Sequence, residues 1–164
     1  MKLADIFLGQ LDREVRATRR ALEAVPDGKG DWKPHPKSMP LGYLSVLVAI
    51  IPSWIASMVD REYLDLGEGG SPPQPKSNRD LVKLFDDSVA AGRKALSSTT
   101  DEHLLKTWQL RVSGKVVDDR PRYQQIGDTF GHLAHHRGQL TVYLRLNDKP
   151  VPSIYGPSAD EKWG

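Results

Sequence analysis

The chain has no cysteine among its 164 residues, so disulfides, thiolate metal ligands and a cysteine nucleophile are excluded. Any strong metal site must therefore be built from histidine and carboxylate. Excess charge is equally scarce. Lys and Arg number 23 against 21 Asp and Glu, a net +2 spread along the sequence, which gives no footprint for a phosphate backbone and argues against nucleic acid as a partner. Long hydrophobic runs are few. The longest nearly charge-free stretch, Ser38 to Val59, is diluted by Pro40, Gly42, Ser45, Pro52, Ser53 and Ser57, and reads as a buried helix rather than a membrane span. Near the N-terminus Asp5, Asp12, Arg13 and Glu14 interrupt the apolar residues, unlike the continuous core of a secretory signal. The expectation is one soluble, cytoplasmic domain over residues 1–164, large enough to bury its own core. No H-E-x-x-H is present, because Leu133 stands where that motif needs glutamate; G-x-S-x-G, phosphate-loop and dinucleotide signatures are also missing.

What is present is helical periodicity. Leu3, Ile6, Phe7, Leu11, Val15, Thr18, Leu22 and Val25 recur at helical spacing and predict a first helix from Lys2 to Val25, ended by Pro26, Asp27 and Gly28. Ser38 as N-cap and Pro40 in the first turn predict a second helix from about Met39 to about Leu64, with a bend at Pro52. Ser77 caps a third helix that runs to the Ser97–Thr100 turn, with one further short turn at Thr100 and Asp101. Lys106 to Val117 alternates weakly and predicts an extended or hairpin connection about Ser113 and Gly114. A fourth long helix spans Arg122 to Leu146, and the prolines after it force an extended tail. Long helices with long connections predict an all-α bundle.

Chemistry concentrates in F-G-H-L-A-H-H-R-G-Q-L, residues 130–140, which holds three of the five histidines. His132 and His136 lie four apart and project from one helical face, the spacing by which a helix offers two nitrogens to one metal ion. Two ligands do not close a site. Asp128, one turn before His132, and His35, on the loop entering the second helix, are candidates for a third. His135 is expected to face a neighbouring helix or solvent, and His103 solvent. Arg137, Gly138 and Gln139 complete the segment. Gly138 suggests a close neighbour, because glycine inside a helix costs about 1 kcal/mol against alanine. Arg137 reads either as a contact for an acidic ligand or, more simply, as the partner of a carboxylate on another helix or the tail. The cluster Tyr155, Gly156, Pro157 and Asp160 is expected to pin the tail, and Trp32, Trp54, Trp108 and Trp163 to serve as core or pocket wall.

The run H-L-A-H-H-R-G-Q-L-T-V-Y-L-R-L-N-D-K-P-V-P-S-I-Y-G-P-S-A-D-E resembles the end of the DinB-like family, and K-S-M-P-L-G-Y-L-S-V-L-V-A-I-I-P-S-W resembles the start of its second helix. The resemblance implies a four-helix bundle, usually a homodimer, often holding nickel or zinc on three histidines. Two of these match His132 and His136. The third falls on Leu47, where relatives read L-G-x-L-x-x-H-V-A, and Tyr43 one turn earlier is a poor ligand at neutral pH. Two functions follow from the resemblance. One is a metal-dependent transferase or isomerase in which the ion activates a low-molecular-weight thiol. The other is a non-catalytic, dimeric small-molecule-binding or stress-associated protein that keeps the pocket without the metal. His132, His136, Leu47, Tyr43, Asp128, Gln139 and Arg137 are the residues on which the choice turns.

Overall fold

The computed structural model describes residues 2–162, and Trp163 lies outside them. Four long helices, α1 (Leu3–Glu23), α2 (Leu41–Asp60), α3 (Asn78–Ser98) and α5 (Arg122–Leu146), are joined by a single-turn α4 (Asp101–Leu105) and three strands. Both α2 and α1 pack against α3 and against α5. The long helices thus enclose one main core, built on Leu22, Leu44, Val48, Ile51, Phe85 and Leu140. A second cluster, with Phe7, Ile55, Leu104, Trp108 and Phe130, fills the end near α4 and the sheet.

The all-α expectation needs correction. Strands β1 (Tyr63–Asp65), β2 (Thr107–Val112) and β3 (Lys115–Pro121) form a sheet in the order β1-β2-β3, parallel then antiparallel, with a bulge at Leu110 and Arg111. The hairpin lies where the alternation pointed, and its turn places Ser113 and Gly114 at φ 49° and 81°, the positive pair that a two-residue hairpin loop needs. β1 was hidden inside the expected second helix. That helix stops at Asp60, and Tyr63 to Asp65 pair with Gln109 to Arg111 instead. Asp65 explains why. Its buried carboxylate accepts from the amides of Gly67, Ser113 and Gly114 at 2.8, 2.8 and 2.6 Å, which ties β1 to the hairpin turn. Gly67 is required there, since a Cβ would stand 2.6 Å from the Ser113 hydroxyl.

Other boundaries differ by one or two residues. Pro40 is the N-cap of α2, with extended backbone, rather than a first-turn residue following a Ser38 cap. Ser77 caps α3 by accepting from the Asp80 amide, and Thr100 caps α4. By length and composition α2 is apolar enough to cross a membrane, but ten of its residues are buried in the fold between α3 and α5. It runs unbroken through Pro52, and α3 approaches closely at that level: a Cβ on Gly92 would meet the Pro52 carbonyl oxygen at 2.7 Å. Gly138 has no such neighbour. Nothing among the described residues lies within 4 Å of a Cβ built on it, contrary to the close packing expected of it.

Candidate functional site

Helical and strand periodicities converge on one cavity. Tyr43, Leu47, Ile50 and Trp54 recur along one face of α2, Gln125, Thr129 and His132 along one face of α5, and Trp108 and Leu110 alternate on one face of β2. These surfaces, with Leu64 of β1, bound a space of about 440 Å³. Its walls are mainly apolar and aromatic. The sheet supplies the third wall, so the cavity depends on the part of the fold that helical periodicity did not announce. Trp108 is 2% exposed, and its Nε1 has no hydrogen-bond partner among the described residues. Gln125 is held in place by donating to the Trp108 and Arg120 carbonyls at 2.7 and 3.2 Å.

The mouth of the cavity is polar. Arg120 binds Asp118 at 2.6 Å and Asp128 at 2.8 Å, so Asp128, a candidate third metal ligand, is committed to a guanidinium. The same contacts hold the Asp118 carboxyl below its ordinary range and raise Arg120. His132 stands edge-on to Trp54, ring centroids 5.0 Å apart. His136 follows at 4.7 Å from His132, and the exposed His135 at 4.9 Å from His136. His132 is itself exposed, and what burial it has, then the neighbouring His136 and His135, lowers its pKa from 6.5, which favours the neutral ring. His136 Nδ1 lies 2.8 Å from the Gln139 amide oxygen, a contact that orients the ring.

The sequence candidates therefore divide. His132, rather than His136, shares the cavity with Leu47 and Tyr43; Asp128 sits at its rim, and Gln139 orients His136. Tyr43 is 51% exposed. His35 is on an exposed loop, where its Nδ1 accepts from the Lys37 amide. His103 is half-buried rather than exposed, its Nε2 2.8 Å from the Val59 carbonyl oxygen. No group of three or more histidines, cysteines or carboxylates among the described residues is placed to hold a metal ion. The described residues do not fit a three-ligand site, because the helix-two wall that shares the cavity with His132 presents leucine at position 47.

Arg137 belongs to a different construction. It is 1% exposed and forms a buried pair with Glu14 of α1 at 2.7 Å, donating also to the Thr18 hydroxyl at 2.8 Å and to the Tyr155 hydroxyl at 2.6 Å. This is the simpler of its two expected roles. The tail is pinned as its polar residues suggested: Tyr155 reaches Glu14 and Arg137, Asp160 pairs with Arg145, and Glu161 with Arg20. Glu14 was missed, although its position between Leu11 and Thr18 on the apolar face of α1 marks a charge that must find a buried partner.

Comparison with known proteins agrees with this architecture. The profile of the DinB superfamily matches residues 10–140. The chain belongs to the DinB superfamily. Its sequence is 27% identical over 159 residues, 97% of this chain and 91% of the other, to the uncharacterised protein YrdA of Bacillus subtilis strain 168. The fold matches the crystal structure of a DinB-like protein from Bacillus cereus ATCC 10987 with a TM-score of 0.70 at 25% identity, over 91% of this chain and 95% of that one. It matches the DinB-like protein YjoA of Bacillus subtilis with a TM-score of 0.70 at 15% identity, over 96% and 99%. The latter similarity concerns the fold alone. The superfamily match runs from within α1 to Leu140 of α5 and includes both walls of the cavity contributed by helices.

Proposed function

We propose that this DinB-superfamily chain is a soluble, cytoplasmic small-molecule-binding protein whose bundle keeps a pocket between α2, the sheet and α5 without a tightly held metal ion. The observation that carries this reading is the cavity of about 440 Å³ with aromatic and aliphatic walls and the His132 imidazole among its lining side chains. The ligand it suits is a compact apolar molecule bearing one polar group. Trp54, Leu47, Ile50 and Leu110 bury the body, and His132 makes the hydrogen bond that orients it. Metal-assisted thiol chemistry needs a third donor that the described residues do not bring to His132 and His136.

The same reading includes a homodimer through α5. Gly127, Gly131, His135, Gly138, Val142 and Leu146 fall within roughly a third of the helix circumference at 3.6 residues per turn. The three glycines have open space around them, and Val142 and Leu146 are 57% and 56% exposed. A second copy laid along this face would give Gly138 the close neighbour that one protomer lacks.

A neutral aromatic probe such as 1-naphthol tests the pocket. It should quench the tryptophan fluorescence of the wild type saturably, and Leu47→Trp, which fills the cavity, should weaken its binding by at least about ten-fold. Equal binding to both proteins would remove the cavity from the account.

A further inference from the structure

A groove on the other side of the molecule has a different character. Arg13, Arg16 and Arg20 stand three and four apart on α1 and so share one face. The tail crosses opposite them, and Ala17, Tyr155, Glu161 and Lys162 complete the walls of a space of about 780 Å³. Its carboxylate, Glu161, is already engaged by Arg20 and by the Ser153 amide at 2.8 Å. Those contacts lower its pKa, the Ser153 amide most, so it stays charged but committed. Glu14, beneath, is buried against Arg137 and Tyr155. Three cations, Arg13, Arg16 and Lys162, therefore face one groove with no carboxylate partner among the described residues.

This clustering is local. The chain as a whole carries only +2, and Arg19, Arg20, Arg93, Arg120, Arg137 and Arg145 each have a carboxylate partner. Like charges a turn apart on a helix repel and cost stability. A guanidinium presents a planar fork that matches two oxygens of a phosphate, and two such forks a turn apart match one dianionic group. The groove is larger than a phosphate ion needs. Ala17 keeps its floor low, and the Tyr155 ring is 64% exposed although its hydroxyl is held inward by Arg137 and Glu14. An exposed ring beside a row of cations offers a stacking surface for an organic group.

The geometry points to a binding site for a small phosphate monoester of about nucleotide size, with the phosphate on Arg13 and Arg16 and the organic part against Tyr155. The site is separate from the α2–α5 cavity and does not depend on its assignment.

Adenosine 5′-monophosphate is the probe, titrated calorimetrically into the full chain beside adenosine and inorganic phosphate. Arg13 and Arg16 are exposed and make no ion pair among the described residues, so Arg13→Gln/Arg16→Gln should melt no lower than wild type. That double variant should bind the monophosphate at least about ten-fold more weakly, and Arg16→Lys, which keeps charge but loses the fork, should fall between the two. Adenosine should bind far more weakly than the monophosphate, raised salt should weaken the complex, and Leu47→Trp should leave it unchanged. Equal binding of monophosphate to wild type and double variant, or none at millimolar concentration, would overturn the site. Inorganic phosphate binding as tightly as the ester would overturn the assignment to a monoester.

Discussion

Arg137 and Glu14 show what one residue pair does for the fold. A guanidinium and a carboxylate, both nearly inaccessible, are stable together because each satisfies the other and because Thr18 and Tyr155 take the remaining valences. Removing one partner leaves a buried charge without compensation. Arg137→Leu should lower the unfolding free energy in urea by about 3–5 kcal/mol, whereas adding Glu14→Leu should recover much of that loss. A double variant no more stable than Arg137→Leu would mean that the two charges do not act as a pair. His132 makes an opposite kind of statement. Its folded pKa is lowered from 6.5, so as pH falls below 6.5 the unfolded chain takes up the proton before the folded chain does. Stability should therefore decline with acidification from 6.5 through the folded value, and His132→Gln should flatten that decline. Asp65 acts in a separate window. Hydrogen bonds, that from the Gly114 amide most, lower its pKa from 3.8, so its stabilising contribution persists above 3.8 and is lost only as pH falls through the folded value. Melting temperatures measured across both windows separate the two groups.

At the scale of elements, two glycines carry opposite expectations. Gly92 lies where α3 meets the Pro52 carbonyl of α2, and a methyl group there has no room. Gly92→Ala should destabilise the chain by about 1–3 kcal/mol through overpacking. Gly131 on α5 is exposed with nothing near, so in a single protomer Gly131→Ala should stabilise by about 0.5–1 kcal/mol through helix propensity. A bulkier Gly131→Leu would obstruct a second helix on this face. Light scattering should show the wild type as a dimer and Gly131→Leu as a monomer; a monomeric wild type at high micromolar concentration would contradict the pairing. Helices α1 and α3 were legible in the sequence because their amphipathic repeats run for about six turns, α2 because of its long apolar run, and all of them because Ser77, Thr100 and the prolines punctuate the chain. α5 emerged at Arg122–Leu146, as expected. Strand β1 was not legible. Tyr63 to Asp65 is too short to show alternation, and what makes it a strand is a distant hydrogen-bonding partner, the hairpin turn that caps Asp65.

The whole molecule combines a DinB-superfamily frame with a cavity between α2, the sheet and α5. The C-terminal run and the L-G-Y-L segment sufficed to place the chain in the DinB superfamily, and they located His132, Leu47 and Tyr43, which the fold brings to one cavity. They did not show that Arg120 would claim Asp128, that Arg137 would turn away from the cavity, or that Trp108 and Leu110 of a sheet would close it. Those facts depend on long-range packing, which no local pattern encodes. Position 47 is central: with leucine in the helix-two wall, His132 and His136 find no third donor among the described residues, and the cavity is lined mainly by apolar side chains. Calorimetric titration of nickel into untagged wild type and Leu47→His tests this most directly. The expected result is nickel binding at least about ten-fold tighter in Leu47→His, with one ion per chain and a melting temperature that nickel raises in the variant and hardly moves in the wild type. One nickel per wild-type chain, bound as tightly as by Leu47→His, would contradict the account.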